Sequence, residues 1–329
     1  MDSALVVGGT RFLGRHLVDH LLDHDYTVTL FTRGNRDNPF ADRAGVDHVR
    51  GDRTVKTDLQ AAAMTTDYDA VFDVVASHPE DVETAVEVFS DAEAYVYVSS
   101  GAAYGDEVIP KREGETSLKP CTPKQATDDS ADTYGARKAA GDRAVFAAAT
   151  DGVRAMSVRP CVVYGPHDYT ERTDYWLARV RDHDHVLVPG DGTNLWHRVY
   201  APDVAEALRL VAEEGQAGEA YNVGDRRLTT LAEYVALAAD AMRTEVEVVT
   251  AGERALSAGS LSPTDFPLYR TYPHVVSTAK VAELGWESTS LSVAMLTTAA
   301  DHRESDRDGS EVGPARAAEE RVLGVLETL

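Results

Sequence analysis

The sequence of 329 residues is poor in cysteine and lysine and contains no long apolar run. Its two cysteines, Cys121 and Cys161, are too few for a disulfide framework. We expect buried or half-buried thiols, and a single disulfide between the two is the alternative. No apolar stretch approaches the roughly 20 residues that cross a bilayer. The start, Met1–Ala4, lacks the basic segment of a signal peptide. We therefore expect a cytoplasmic protein without membrane contact.

Basic residues are also scarce relative to acidic ones. The chain has 55 acidic and 32 basic residues, a formal net charge of -23, and only six of the basic residues are lysine. Such a surface is typical of salt-loving organisms, so we expect a halophilic, haloarchaeal protein; the alternative is an acidic mesophilic protein. The same surface argues against wide contact with nucleic acid, which needs clustered cations.

Short apolar runs alternate with helical patterns through the first half of the chain. The pattern predicts strands at Ala4–Val7, Thr27–Phe31, Ala70–Val75, Tyr95–Val98 and Ala155–Val158, and a further short one is open at Val46–Val49. Helices are predicted near Phe12–Leu22, Asp58–Met64, Asp81–Phe89 and Asp132–Ala149. Repeated strand–helix–strand units predict an α/β fold, a Rossmann-type doubly wound parallel sheet.

The regular alternation of strands and helices ends after Pro160, where a smaller α+β C-terminal substrate lobe is expected. Helices are predicted at Asp203–Val211, Leu231–Met242 and near Ala318–Leu326, strands at Glu219–Val223 and Val246–Val249, and a proline-rich loop at Gly259–Pro273. We expect a dinucleotide-binding Rossmann domain over residues 1–165, with 196–225 returning to it, and a substrate lobe over 166–195 and 226–300. Residues 301–329 are expected to form an acidic tail, of which 301–315 is expected to be mobile.

A glycine-rich turn follows the first predicted strand. Residues 5–14 read Leu-Val-Val-Gly-Gly-Thr-Arg-Phe-Leu-Gly, with Arg11 at the place of the middle glycine in dinucleotide-binding patterns. Gly8 permits the tight turn, and Gly14 lets the helix pack closely on the sheet. Amides at the helix start can hold a pyrophosphate. The predicted dinucleotide loop therefore runs from Gly8 through Gly9, Thr10, Arg11, Phe12 and Leu13 to Gly14.

The end of the second strand indicates which dinucleotide binds. An acid there would bond the adenosine ribose and repel a 2′-phosphate, but Thr32 takes that place and Arg33 follows it. Arg11, Arg33 and Arg36 together could hold a phosphate, which favours NADP over NAD; solvated loop arginines are the alternative. Asp52, after the third strand, could accept a bond from the adenine amino group or serve as a turn aspartate.

Three residues are arranged for proton transfer. Ser100 stands at the carboxyl end of a predicted strand, where open α/β sheets hold their ligands. Tyr134 and Lys138 lie one helical turn apart on one face. A phenol is a poor acid or base at neutral pH unless its anion is stabilised, and a nearby ammonium does this. Ser100, Tyr134 and Lys138 are therefore predicted to be catalytic, although a chance Tyr–Lys pair and a turn-capping serine are the alternatives.

In these features the sequence resembles the extended short-chain dehydrogenase/reductase family, also called the NAD-dependent epimerase/dehydratase family. The resemblance spans about residues 4 to 285. Within the family, the Gly8–Gly14 loop, Phe31–Gly34 and Phe266–Arg270 look like a branch that includes the chloroplast stem-loop RNA-binding proteins. The matching stretches are the Gly8–Gly14 loop, Phe31–Gly34, Ser99–Gly105, the Tyr134/Lys138 pair, Arg159–Pro166, Asp203–Ala205, Tyr221–Gly224 and Phe266–Arg270.

The resemblance implies a role for each matching residue. The pyrophosphate loop would be lined by Gly8, Gly9, Arg11, Phe12 and Leu13. Thr32 and Arg33 would face the adenosine ribose, and Ala76 would lie beside the cofactor. Tyr134 and Lys138 would combine catalysis with binding of the nicotinamide ribose, and Ser100 would polarise the substrate. Further residues implied near the nicotinamide are Pro160 and Val163, and Tyr164 would border the substrate cleft. A homodimer formed through the Tyr134 helix is also implied.

Two departures from the family pattern limit the reaction and the substrate. Family dehydratases carry an acidic pair just after the catalytic Ser/Thr, where this sequence has Gly101 and Ala102, which argues against dehydration by that route. Nucleotide-sugar enzymes place an arginine before the helix that carries Asp203, and Trp196 stands there. Arg198, two residues on and expected on the same strand face, could replace it.

The sequence thus predicts an NAD(P)-dependent epimerase or oxidoreductase acting on a nucleotide sugar or a related carbonyl or hydroxyl substrate. The predicted substrate residues are Ser100, Tyr164, Trp196 and Arg198. The alternative is a cofactor-binding scaffold or RNA-associated protein, against which the intact catalytic set and the charge both count. No metal site is expected: His183 and His185 are interpreted as a solvated helix end.

Overall fold

The computed structural model describes residues 1–328, with strands and helices alternating through much of the chain. The strands are β1 (Ser3–Val7), β2 (Thr27–Thr32), β3 (Val46–Arg50), β4 (Ala70–Asp73), β5 (Ala94–Val98), β6 (Ala155–Pro160), β7 (Val162–Tyr164), β8 (His185–Pro189), β9 (Arg198–Tyr200), β10 (Ala220–Val223) and β11 (Glu247–Ala251).

The helices are α1 (Phe12–Leu22), α2 (Lys56–Ala63), α3 (Pro79–Val88), α4 (Pro123–Ala126), α5 (Tyr134–Thr150), α6 (Arg172–Asp182), α7 (Ala201–Glu214), α8 (Leu231–Met242), α9 (Glu253–Leu256), α10 (Ala279–Ala282), α11 (Leu291–Arg303) and α12 (Arg316–Leu326). Among the described residues, no helix has the length and apolarity that crossing a membrane requires.

One compact unit consists of Met1–Val163, Ala201–Gly224 and Val276–Glu287. Its seven strands are all parallel, in the order β10-β6-β5-β4-β1-β2-β3. Strands β4, β5 and β6 are buried along their whole length, as expected when helices cover both faces of a parallel sheet. The predicted doubly wound Rossmann-type sheet is confirmed, and the short run at Val46–Val49 is its edge strand β3.

Two layers of helices enclose this sheet. Helix α1 packs against α7, and α3 packs against both α2 and α5. In the layer formed by α2, α3 and α5, Val82 of α3 and Val145 of α5 belong to one hydrophobic core together with Tyr95 and Tyr97 of β5. Parallel strands end at one edge, so the segments that follow β1, β2, β4, β5 and β6 are all presented on the same side.

The second, smaller unit consists of Tyr164–Tyr200, Asp225–Val275 and Ser288–Leu329. Helix α8 packs against α6 and α11, and β8 pairs with β11 in parallel. Strand β8 was not predicted, because its apolar run of Val186–Val188 is short and follows a charged segment. Trp176 is fully buried, and its indole nitrogen donates to the carbonyl of Pro267 at 3.1 Å.

Apart from shifts of one or two residues at 164–165 and 225, the boundaries of the units before residue 301 differ from the predicted ones at two places. Residues 276–287 belong to the first unit, where the indole of Trp286 donates to the carbonyl of Asp203 at 2.7 Å. Residues 196–200 belong to the second unit, where the amide of His197 donates to the carbonyl of His274 at 2.9 Å. Both exchanges depend on bonds between residues far apart in the chain, which local patterns do not reveal.

The expectation of a separate acidic tail over 301–329 is wrong for the described residues 301–328. Glu319 of α12 is fully buried and forms an ion pair with Arg179 and a hydrogen bond from the hydroxyl of Tyr175 at 2.7 Å. Arg307 pairs with Asp174 at 3.4 Å. The charges that suggested a solvated tail instead neutralise buried partners on α6.

Candidate functional site

The glycine loop after β1 is a close-packed cradle. Gly8 has φ +104, and a Cβ added there would lie 2.3 Å from the side chain of Val75. A Cβ on Gly14 would lie 2.6 Å from the carbonyl oxygen of Gly8. The first turn of α1 therefore sits directly on the loop, and its N-cap, Arg11, provides no side-chain bond to the amides of that turn.

These features fit a dinucleotide pyrophosphate. Amides at a helix N-terminus attract an anion, and the missing side chains let a phosphate approach the backbone. Within this loop Gly9, Phe12 and Gly14 are buried, Arg11 is exposed, and Gly8, Thr10 and Leu13 are half-buried. Their assignment to the cofactor stays a prediction.

The end of β2 leads into a polar pocket. The hydroxyl of Thr32 lies 2.8 Å from Nε2 of His48 on β3, and it accepts a bond from the amide of Gly34 at 3.3 Å. Beyond them opens a pocket of about 730 Å³. Its lining residues are Gly34, Asn35, Arg36, Asp37, Asn38, Ala41, His48 and Arg50. Arg33 adjoins the pocket in sequence and is exposed.

Asp52 has the geometry of a turn aspartate. One carboxylate oxygen accepts from the amide and the hydroxyl of Thr54, at 3.0 and 2.8 Å. These bonds lower the pKa of Asp52. The adenine contact offered as the other interpretation stays a prediction, and it would use the remaining carboxylate oxygen.

Ser100 and Tyr134 are placed by two segments that touch. Ser100 follows β5 and caps a short turn over residues 101–103, its hydroxyl accepting from the amide of Ala102 at 3.1 Å. The next residue after Tyr134 is Gly135, where a Cβ would lie 2.3 Å from the carbonyl oxygen of Ala102. Helix α5 thus begins in contact with the serine turn, and Tyr134 remains 38% exposed.

Lys138 is buried next to Tyr134. Its ammonium donates to the carbonyls of Ala76 at 2.7 Å and Val98 at 2.8 Å. The Nζ atom lies 4.8 Å from the ring centre of Tyr97 and 5.8 Å from that of Tyr134. Burial lowers the pKa of Lys138 to about 8. Two of the three N–H groups of the Lys138 ammonium therefore donate to backbone carbonyls, and the ammonium faces the ring of Tyr134.

This pKa predicts how stability depends on pH. The unfolded lysine, with a pKa near 10.4, binds more protons than the folded one above about pH 8, so stability rises with pH through that window. Relative to Lys138→Met, the wild-type protein should gain about 1.5 kcal/mol between about pH 8 and 9.5. Urea unfolding of both proteins measures the difference; parallel pH profiles would contradict the assigned burial effect.

Two charged residues missed by the sequence analysis support this arrangement. Asp73 ends β4 with its side chain fully buried, and it forms an ion pair with Arg53. The predicted strand Ala70–Val75 stops two residues early because the carboxylate of Asp73 accepts the amides of Val75 and Ala76. An acid in an otherwise apolar strand was the available signal.

The remaining predicted cofactor residues follow two strands of the parallel sheet: Pro160 and Val163 lie at and just after the carboxyl end of β6, and Ala76 follows β4. Pro160 is the last residue of β6 and is buried, and Val163 is half-buried. Ala76 is buried and, as described, accepts Lys138 through its carbonyl. All three belong to the first unit, as do Ser100, Tyr134 and Lys138.

Three predicted substrate residues belong to the second unit. The hydroxyl of Tyr164 donates to Asp225 at 3.2 Å, and its ring meets Tyr234 edge-on at 5.9 Å. The guanidinium of Arg198 lies 4.1 Å from the centre of the Tyr234 ring and donates to the carbonyl of Thr229 at 2.8 Å. Arg198 is 4% exposed, and its Nη1 has no hydrogen-bond partner among residues 1–328.

Trp196 has different surroundings. It precedes β9, is half-buried, and has the guanidinium of Arg270 5.8 Å from its ring. Trp196 forms an isolated parallel bridge with His274, and β9 begins two residues later at Arg198, so the shared strand face of Trp196 and Arg198 stays a prediction. The part of the chain that the structure describes has no group of three His, Cys, Asp or Glu side chains that could hold a metal.

Comparison with known proteins identifies the family. A model of the NAD dependent epimerase/dehydratase family matches residues 4–224. The chain belongs to this family. Among the curated relatives, the chloroplast stem-loop binding protein of 41 kDa b of Arabidopsis thaliana is 26% identical over 239 residues, 69% of this chain and 59% of that protein. The chain thus aligns with under two thirds of that relative's length.

Two further proteins are similar over more of their length. The low-salt glycan biosynthesis protein Agl12 of Haloferax volcanii is 29% identical over 247 residues, 68% of this chain and 76% of that protein. The crystal structure of a Bacillus anthracis dTDP-glucose 4,6-dehydratase in complex with NAD superposes with a TM-score of 0.73 at 20% identity, covering 93% of this chain and 98% of that one. The predicted family resemblance is confirmed, and the structural match shows the shared fold.

Proposed function

We propose that the protein is an NAD(P)-dependent epimerase or oxidoreductase that acts on a nucleotide sugar or a related carbonyl or hydroxyl substrate. The observation that carries this proposal is the pair of Tyr134 and Lys138, with the ammonium fixed by two carbonyls and facing the phenol ring. Both residues lie at the sheet edge where the glycine loop also ends. Nucleotide sugars are favoured because relatives include a dTDP-glucose 4,6-dehydratase of Streptomyces niveus.

Residues of the first unit would contact each part of a nicotinamide dinucleotide. The Gly8–Gly14 loop would hold the pyrophosphate, and the segment from Thr32 to Arg36 would hold the adenosine end. Lys138 would hold the nicotinamide ribose through its remaining N–H. When bound, the cofactor supplies the acceptor or donor of a hydride.

The side chains of the first unit would move and direct the proton. Tyr134 transfers a proton between its hydroxyl oxygen and a substrate oxygen, and the Lys138 ammonium stabilises the phenolate form. Ser100 donates a hydrogen bond to the same substrate oxygen and orients it toward Tyr134. The bond that Ser100 accepts from Ala102 leaves its own hydroxyl hydrogen available for this.

Dehydration is the least supported of the family reactions. Gly101 and Ala102 form the turn that follows Ser100, where neither side chain can act as an acid or a base. Epimerisation or simple redox chemistry needs no carboxyl group at that place. The proposal therefore favours these reactions, although several relatives are named as dehydratases.

Incubation with nucleotide sugars tests the proposal. The purified protein is mixed with UDP- and dTDP-hexoses and with NAD or NADP. The absorbance of reduced nicotinamide reports net redox chemistry, and proton NMR of the sugar reports epimerisation. Conversion of at least one sugar supports the proposal; a protein that binds nicotinamide yet converts none contradicts the substrate class.

We also propose that NADP is preferred over NAD. Thr32 carries no charge, and two arginines, Arg36 and Arg50, line the pocket beyond it. Asp37 is the one carboxylate among the residues that line this pocket. Two guanidinium groups suit a 2′-phosphate.

This preference predicts the effect of Arg36→Ser. We expect the Kd for NADPH to rise about tenfold, because one charge-assisted hydrogen bond to the 2′-phosphate is lost. The Kd for NADH should stay unchanged. Fluorescence titration of both cofactors measures the two constants. Arg43→Ser, which removes an exposed arginine outside the pocket lining, is the matched control. Equal weakening of both cofactors would contradict phosphate selection.

The charge of the chain predicts a dependence of stability on salt. At a net charge of -23, like charges repel across the surface, and salt screens that repulsion as the Debye length falls from about 10 Å at 0.1 M to about 3 Å at 1 M. We propose a protein adapted to salt, whose urea midpoint rises between these KCl concentrations. An unchanged or falling midpoint would contradict this adaptation.

An RNA-associated scaffold is the competing function, because one relative is named as a stem-loop binding protein. The net negative charge opposes such binding, since phosphate contacts need clustered Lys and Arg. Retention of a labelled RNA hairpin at low and high salt separates the two. Specific retention together with an absence of nicotinamide binding would favour the scaffold.

A further inference from the structure

Arg53 connects two carboxylates behind the proposed site. It follows β3, its side chain is 11% exposed, and it forms ion pairs with Asp73 at the end of β4 and, at 2.9 Å, with Asp81 of α3. The hydroxyl of Tyr95 also donates to Asp73, at 3.1 Å. A buried carboxylate without such partners would be costly, so Arg53 makes this placement of Asp73 possible.

The two carboxylates hold one turn of backbone between them. Asp73 accepts the amide of Ala76 at 2.9 Å, and Asp81 accepts the amides of Ser77 and His78 at 3.0 Å each. Three successive peptide groups of the turn are therefore fixed by side chains that share Arg53. The turn has no regular secondary structure of its own to fix it.

This turn is also one of the two anchors of Lys138. The carbonyl of Ala76, whose amide is bound by Asp73, accepts the Lys138 ammonium at 2.7 Å. One carboxylate and one residue of backbone thus separate the Arg53 guanidinium from Lys138. The charges that act on Lys138 are those of Asp73, Asp142, Arg137 and Arg53. The ring of Tyr97 also faces it.

We propose that Arg53 is a positioning residue: by bridging Asp73 and Asp81 it fixes the turn at Ala76 and so holds the Lys138 ammonium against Tyr134. The inference rests on the proposed function of the Tyr134/Lys138 pair. Arg53 itself touches neither substrate nor cofactor in this account. Its effect reaches the proton-transfer group through the carbonyl of Ala76.

The direct readout is the ionisation of Tyr134 in the protein without ligand. Ultraviolet difference titration against Tyr134→Phe isolates this phenol from the other tyrosines. Arg53→Met should raise its midpoint by about one pH unit or more, because Asp73 loses its countercharge and the turn that holds Lys138 beside Tyr134 is released. The Kd for NADPH should rise about tenfold. Arg43→Met, which alters an exposed arginine, should change neither.

Arg53→Lys separates position from charge. Lysine keeps the positive charge but cannot bridge both carboxylates with a planar fork, so it should not restore the wild-type midpoint. Full restoration by lysine, or an unchanged midpoint in Arg53→Met with lowered stability alone, would overturn the proposal. If the wild-type protein bound no nicotinamide, the proposed function would be contradicted. The Tyr134 midpoints of the Arg53 variants, which are measured without ligand, would still decide whether Arg53 positions Lys138.

Arg53→Met leaves Asp73 unpaired and can prevent folding. Asp81→Asn provides the second variant, because the half-buried amide keeps an oxygen for the amides of Ser77 and His78 but loses its ion pair with Arg53. A rise of the Tyr134 midpoint in the same direction, smaller than in Arg53→Met, supports the bridge. A wild-type midpoint in this variant overturns the role of the Asp81 arm.

Discussion

Replacing Tyr134 by phenylalanine is expected to lower turnover by a factor of about 100 to 10,000, the usual contribution of a positioned acid or base. The ring remains, so the packing at the start of α5 is kept and only the hydroxyl is lost. Binding of nicotinamide should stay within about threefold of wild type, because Lys138 retains both of its carbonyl partners. The NMR assay with the converted sugar measures turnover, and fluorescence measures binding.

Tyr68→Phe is the matched control for this change. Tyr68 belongs to the same unit, is buried, and bonds Thr65 and the carbonyl of Ala62 at the end of α2. Its loss should cost some stability and leave turnover per folded molecule unchanged. Undiminished turnover in Tyr134→Phe would remove Tyr134 from the mechanism.

Gly14→Val is expected to weaken nicotinamide binding by a factor of about 100 or more. Even a single added carbon would stand 2.6 Å from the carbonyl oxygen of Gly8, so the loop and the start of α1 must separate. The amides that would meet the pyrophosphate then lose their common direction. Titration of NADPH by fluorescence, with circular dichroism as the check on folding, measures the loss.

Gly252→Ala serves as the control for adding a side chain to a glycine. Nothing lies within 4 Å of a Cβ at Gly252, and its backbone is in the ordinary extended region. This variant should bind the cofactor as wild type does. If a folded Gly14→Val protein also bound with wild-type affinity, the cofactor would not use this loop.

The sheet and the Tyr134/Lys138 pair were predictable because their signals are local. The runs of β1 and β5 are apolar, and their burial on both faces follows directly. Tyr134 and Lys138 are four residues apart, so a helix brings them together regardless of the rest of the fold. The same holds for Gly8 and Gly14, whose spacing belongs to one strand–turn–helix unit.

The partners that define the environment of Lys138 were not predictable from local patterns. The carbonyl of Ala76 lies 62 residues away in sequence and that of Val98 lies 40 away. Carbonyls leave no side-chain signature, and Arg53 resembles any turn arginine until β4 places Asp73 beside it. In the second unit Glu319 was misjudged for the same reason, since its partners Arg179 and Tyr175 are over 130 residues away.

Direct cofactor titration tests the central claim. The protein is purified in KCl at about 1 M, which screens its charge, examined for retained nicotinamide, and titrated with NADPH and NADH by fluorescence. We predict saturable binding of both, with the lower Kd for NADPH. Nicotinamide retained through purification would favour an epimerase, and reversible binding would favour a reductase. Absence of both retained nicotinamide and measurable binding of either cofactor would contradict the account.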